Sequence, residues 1–221
     1  MTKRRFDIDR VMALVRRAVR PYPQAALFAL AEEGYASAFE QVVACILSIR
    51  TRDEVLGPVA RRLFGRARTP EAMARLTPSE IEGLIEGSRF RERKAGQIHE
   101  IARRAVTEYE GEVPCEEGVL RSFAGVGPKC ANLVLAIACG EQRIGVDVHV
   151  WRVTNRWGVI STRTPEQAVA ALEGAIPRMH WVDLNRYLVP FGKHICTGRL
   201  PHCSTCPVLE YCRQVGVAEH R

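Results

Sequence analysis

Apolar residues recur every third or fourth position along nearly the whole chain, and no long run alternates apolar with polar. That spacing builds helices and leaves nothing from which to lay a sheet. Ile8, Val11, Met12, Val15 and Val19 share one helical face. Phe39, Val42, Val43, Ile46 and Leu47 form a second, nearly all apolar, and Val55, Val59 and Leu63 continue the pattern. Ile98, Ile101, Ala102 and Ala105 mark a longer helix that ends before Gly111; Leu133, Val134, Ile137 and Ala138 mark another. Trp181, Leu184, Tyr187 and Leu188 mark a late one. Thr77-Pro78-Ser79-Glu80 predicts a capping box, Thr164-Pro165-Glu166-Gln167 repeats that chemistry, and Thr69-Pro70 supplies cap and proline alone. The reading is all-α, about ten helices on short turns. With no low-complexity linker and no internal repeat, any two domains must pack closely.

Charge narrows the partners. Lys and Arg number 32 against 25 Asp and Glu, a formal +7, which suits a polyanion such as nucleic acid or an anionic membrane surface. No apolar run reaches the roughly 18 residues that span a bilayer. The charged N-terminus lacks the apolar stretch of a secretory signal. A cytoplasmic location follows as the expectation, with the eight cysteines reduced and disulfides rare. Four of them, Cys196, Cys203, Cys206 and Cys212, crowd into the spacing C-x6-C-x2-C-x5-C. Such crowding points to a metal centre, and soft thiolates suit zinc or iron–sulfur. Only Cys203 and Cys206 form the short pair that zinc favours, so the spacing leans slightly to iron–sulfur. Lys193, His194, Arg199 and Arg213 flank or lie in this segment, cations suited to a phosphate backbone or simply to solvent.

Phe123-Ala-Gly125-Val126-Gly127-Pro128-Lys129 separates two helical patterns. Its glycines permit a tight turn and a close backbone approach. Pro128 fits the first position of the following helix, whose free amides attract an anion. Lys129 follows at once. A nucleophilic lysine must be neutral, which desolvation or nearby positive potential favours; the alternative is a solvated, phosphate-binding lysine. Further on, Asp147 precedes a periodic stretch. It reads equally as an N-cap or as a carboxylate that handles protons.

Together these features resemble the endonuclease III branch of the helix-hairpin-helix DNA glycosylases. The resemblance is carried by Leu47-Ser48 with Asp53, Gly111-Glu112-Val113-Pro114, Gly125-Val126-Gly127-Pro128-Lys129, Val146-Asp147 with His149, and the four cysteines. It covers roughly residues 25–215. It implies two helical domains with a DNA-binding cleft between them. Residues 31–141 would form a six-helix barrel with the helix-hairpin-helix; 1–30 and 142–221 would form an iron–sulfur cluster domain. It further implies a [4Fe–4S] cluster on Cys196, Cys203, Cys206 and Cys212, and a monomer acting on double-stranded DNA in the nucleoid. Lys129 would attack a flipped nucleotide and nick the strand by β-elimination, with Asp147 assisting. Oxidised or saturated pyrimidines such as thymine glycol, and abasic sites, would be the substrates. Gly125, Val126, Gly127, Lys193 and Arg199 would bind DNA, and Arg50, Phe90 and His149 would fill the gap left by the flipped nucleotide. Here the chain departs from the family's usual Gln and Leu at the first two of those positions. Cys130 and Val148 each replace a common Thr. These changes keep open a mismatch thymine or uracil glycosylase, or a non-catalytic DNA-binding iron–sulfur relative.

Overall fold

The computed structural model describes residues 3–221. Among them are α-helices and two short 3-10 turns, with no strand. Twelve α-helices are present among the described residues, more than periodicity suggested, because pieces of five to seven residues are too short to show a period. The chain divides into two compact units, one of Ala26–Glu141 and one of Met1–Ala25 with Gln142–Arg221.

The first unit runs through α2 (Ala26–Glu32), α3 (Ala38–Ser48), α4 (Asp53–Arg66), α5 (Pro70–Ala74), α6 (Pro78–Leu84), α7 (Arg91–Glu108), α8 (Glu117–Ser122) and α9 (Pro128–Ile137). A domain start at residue 31 would cut α2 in two; α2 instead packs whole on α3 and α4. Helix α3 is the hub, buried without a break from Phe39 to Leu47 and packed on α4, α7 and α9. A helix buried on every face must satisfy its polar residues internally. Glu40 does so by closing a capping box with Ser37 and pairing with Arg68 at 2.5 Å. Gln41 does so only in part: its Nε2 donates to Tyr35 O at 2.6 Å, while its buried Oε1 has no partner among the described residues.

The second unit joins α1 (Ile8–Val19) to α10 (Val148–Trp157), α11 (Pro165–Ala175) and α12 (Trp181–His194). Val11, Val15, Val153, Trp157, Leu184, Leu188 and Phe191 form its core, and Val208 and Cys212 of the cysteine segment share it. The Arg4 amide donates to Glu210 O at 2.8 Å, tying the start of the described chain to that segment. The Thr77 capping box forms as expected. At Thr164 the hydroxyl accepts from the Gln167 amide, but Gln167 Oε1 takes the Arg163 amide at 3.1 Å, one residue before the cap. That box is therefore half made.

The expectation of reduced thiols fails for the four cysteines outside the C-terminal segment. Cys45 is bonded to Cys130, linking α3 to α9, and Cys115 is bonded to Cys139, linking the approach to α8 with the exit from α9. Packing of α9 on α3 brings the first pair to a Cα separation of 6.0 Å, and the second stands at 5.9 Å, both within ordinary bridging range. Among the described residues no helix is long and apolar enough to cross a membrane.

Candidate active site and DNA-binding elements

Helix α8, the turn from Phe123 to Gly127 and helix α9 form a helix-hairpin-helix. Gly125 adopts φ +92°, and a Cβ there would stand 2.5 Å from Gln97 Nε2 and 3.1 Å from Ile46 Cδ1. The left-handed conformation favours glycine, and a Cβ would require the tips of the Gln97 and Ile46 side chains to move. Val126 is buried and anchors the turn. Gly127 differs: its φ is ordinary at −87°, and a Cβ would meet nothing within 4 Å. It is the N-cap of α9, where no side chain caps the helix and Pro128 holds the first position. The remaining amides of that first turn are open to an outside acceptor. Lys129 stands second in α9 and is exposed; the burial that the sequence suggested is not supplied. Its neighbour Cys130 is buried and bridged to Cys45, so the helix is fastened from beneath beside the amine.

Two other exposed side chains of this unit sit on unusual backbone. Arg50, just past α3, and Phe90, the N-cap of α7, both have φ +56°. Left-handed backbone costs a residue with a Cβ about 1–2 kcal/mol, and such strain gathers where function requires it. Phe90 is 64% exposed. Close by lies a residue that the sequence reading passed over. Lys94, 2% exposed, donates its Nζ to Leu47 O at 2.7 Å, Ser88 Oγ at 2.8 Å and Thr51 Oγ1 at 2.9 Å. Burial pushes its ammonium down to about 8. The signal was available, since Lys94 is one turn before Ile98 on the buried face of α7.

In the other unit Asp147 caps α10. Its Oδ1 accepts from the amides of His149 and Val150, each at 2.9 Å, and Oδ2 takes part in neither bond. The capping role is therefore filled with one oxygen. Two arginines of the same helix reach back to the cysteine segment. Arg152 donates to Gly192 O at 2.8 Å and to Cys196 O at 3.2 Å, and touches His149 Nδ1 at 3.1 Å. Burial holds its guanidinium below its ordinary value. Arg156 donates to Thr197 O at 2.6 Å, Gly198 O at 2.8 Å and Cys196 Sγ at 3.4 Å. Neither brace was foreseen, because charged residues on a helix usually read as its solvent face.

Cys196, Cys203, Cys206 and Cys212 are all free thiols, two of them buried. Burial pushes the Cys206 thiol up to about 12 and raises Cys212 as well, with the other cysteines adding to both shifts. The Gln214 amide donates to Cys212 Sγ at 3.3 Å. Among the described residues no group of three or more His, Cys, Asp or Glu is arranged to hold a single metal ion. Lys193 lies in the last turn of α12, and Arg199 is exposed in the loop after Cys196.

Comparison with known proteins agrees with this geometry. Residues 43–178 match the model of the HhH-GPD superfamily base excision DNA repair proteins. The endonuclease III of Thermotoga maritima is 37% identical over 79% of this chain and 82% of its own length. The chain belongs to the endonuclease III family. The family member of Escherichia coli strain K12 is 32% identical over 82% of this chain and 86% of its own. The structure of a trapped endonuclease III–DNA covalent intermediate superposes with a TM-score of 0.74 at 32% identity, over 80% of this chain and 84% of that one. A thermostable thymine-DNA glycosylase shares the fold, with a TM-score of 0.72 at 21% identity over 90% of this chain and 95% of that one. As an endonuclease III homologue, the protein is a base excision repair DNA glycosylase with abasic-site lyase activity.

Proposed function

We propose that Lys129 is the nucleophile of this glycosylase and lyase, acting on oxidised or saturated pyrimidines and on abasic sites in double-stranded DNA. The observation that carries the reading is an exposed amine at the second position of an uncapped helix, directly behind a glycine turn. The turn and the free amides of α9 bind a DNA phosphate, which presents the adjoining sugar to the amine. Neutral Lys129 attacks C1′; the bond from C1′ to the base breaks and the base leaves with the electron pair. The amine loses its protons as the sugar ring opens, leaving a C1′=N Schiff base. Removal of a C2′ proton then expels the 3′ phosphate and nicks the strand. Asp147 holds or passes protons in these steps through Oδ2, while Oδ1 keeps the carboxylate aimed. Arg50, Phe90 and His149 fill the gap left by the extruded nucleotide, and Lys193 and Arg199 contact phosphates.

The donor chemistry of the C-terminal segment fits a [4Fe–4S] cluster. It offers four free thiols partly withdrawn from water, with N–H groups of Arg156 and Gln214 directed at two of the sulfurs. Cys196, Cys203, Cys206 and Cys212 would hold it. The cluster supplies an anchor for the segment and no step of the reaction.

Borohydride trapping on abasic-site duplex tests the reading. Wild-type protein should form a covalent adduct, and Lys129→Gln should bind the same duplex without forming one. No adduct from wild type sinks the lyase assignment. Thymine-glycol, uracil-mismatch and thymine-mismatch duplexes run side by side rank the base specificity. Iron analysis with visible absorbance tests the cluster.

A further inference from the structure

Lys94 takes no part in the chemistry above, yet its surroundings are built around its charge. An ammonium has three protons, and here each has one acceptor: Leu47 O, Thr51 Oγ1 and Ser88 Oγ. Leu47 and Thr51 lie on either side of Arg50. Ser88 lies before Phe90, and the Lys94 amide donates to Phe90 O at 3.0 Å, the first bond of the helix that Phe90 caps. One residue thus closes both left-handed tips. The two hydroxyls also bond each other, Thr51 Oγ1 to Ser88 Oγ at 3.1 Å, so the tips are cross-linked as well as closed. Phe90 and Lys94 line a recess of about 190 Å³ with Ile49, Arg93, Gln97 and Gly125 of the hairpin.

Stability alone does not account for a lysine at this place. A buried ammonium loses its hydration, and an apolar side chain of similar length fills the same volume without that cost. What the apolar residue lacks is direction: it cannot hold two separate loops at a fixed spacing.

We propose that Lys94 is a positioning residue that locks the Arg50 and Phe90 tips together, so that both enter the gap in the duplex as one unit. This rests on the assignment of Arg50 and Phe90 as gap-filling residues. Extruding a paired base requires the vacated space to be filled. A baseless sugar has no base to unstack. Lys94 therefore matters for base excision and much less for cleavage at a preformed abasic site.

The test compares wild type with Lys94→Met under single-turnover conditions. One substrate carries a base lesion that wild type excises; the other is a preformed abasic duplex. Excision should fall roughly tenfold or more while abasic cleavage stays within about twofold. In a Phe90→Ala background Lys94→Met should add little to the excision loss, because coupled residues are not additive. A spectroscopic readout needs no turnover. With 2-aminopurine opposite a tetrahydrofuran abasic analogue, wild type should change the probe's fluorescence on binding, and Lys94→Met should bind without that change. Should Lys94→Met fail to fold, Ser88→Ala removes one acceptor and should show the same pattern more weakly. Equal losses on both substrates, full additivity with Phe90→Ala, or an unchanged fluorescence response would each reduce Lys94 to a structural role. Failure of wild type to trap on abasic DNA would instead overturn the lyase reading.

Discussion

The two residues assigned to chemistry are supported in opposite ways. Lys129 is exposed, and its position comes from the main chain beneath it: a left-handed glycine, a proline at the helix start and a disulfide at the next residue. Asp147 is half-buried, and its position comes from hydrogen bonds: two amides on one oxygen, then two arginines that brace the same helix to the cysteine segment. The amine is left in water with its hydrogen bonds unspent on the hairpin, which suits a group that must form a new covalent bond. The carboxylate is restrained, which suits a group that must accept a proton and stay where it is. Around these two residues the cations differ as well: Lys129 faces outward, whereas Arg152 and Arg156 of the helix capped by Asp147 are turned inward.

The contrast is sharpest in the loss of each group. Lys129→Ala should abolish the borohydride adduct, whereas Asp147→Asn, which keeps an oxygen for the cap, should still form it at a rate lower by about 100-fold. If both variants trap equally well, the division of roles is wrong. Next in size is Arg156→Ala, which leaves the Thr197 and Gly198 carbonyls without their donor. It should lower stability by about 3 kcal/mol and strip visible iron absorbance at lower denaturant, both read in one urea titration. Gly125→Ala should cost about 2 kcal/mol from its left-handed backbone and the close Gln97 amide. Gly127→Ala should leave the unfolding midpoint nearly unchanged and weaken duplex binding instead; equal midpoint shifts would mean that the two glycines do the same job.

The last effect is a slope with pH. The folded protein holds the Lys94 proton only to about pH 8, while the unfolded chain keeps it to about 10. Between these values the unfolded state binds more protons, so unfolding free energy rises with pH. Wild type should gain stability relative to Lys94→Met from pH 8 to pH 10, and the two should run parallel below pH 7. Urea midpoints at pH 7, 9 and 10 check this, and parallel curves throughout would remove burial as the cause.

Much of this was legible in the residues. Most long helices showed themselves because they bury one face at a helical period, α3 because it is apolar on nearly every face, and the hairpin and cysteine segment because their residue types sit at fixed offsets. Helices α2 and α8 did not, being shorter than two turns, and α5 showed only its start at Thr69-Pro70. Ser37 and Glu40 form a full capping box that went unnoticed before a helix apolar on all sides. Lys94 reads as an interruption of an apolar stripe, and Arg152 and Arg156 as solvent-facing charge, because the carbonyls they meet lie some 40 residues away. The disulfides join positions 85 and 24 residues apart, a pairing that only the folded chain brings together.

The bond from Cys115 to Cys139 encircles the hairpin, from the approach to α8 to the exit of α9. The stretch that bears Lys129 is thus a closed ring on the protein. A protease that severs any peptide bond between 116 and 138 would leave both ends tethered, with no change in apparent mass until a reductant is added. Strand-nicking machinery built this way can itself be nicked and still keep its proposed nucleophile on board.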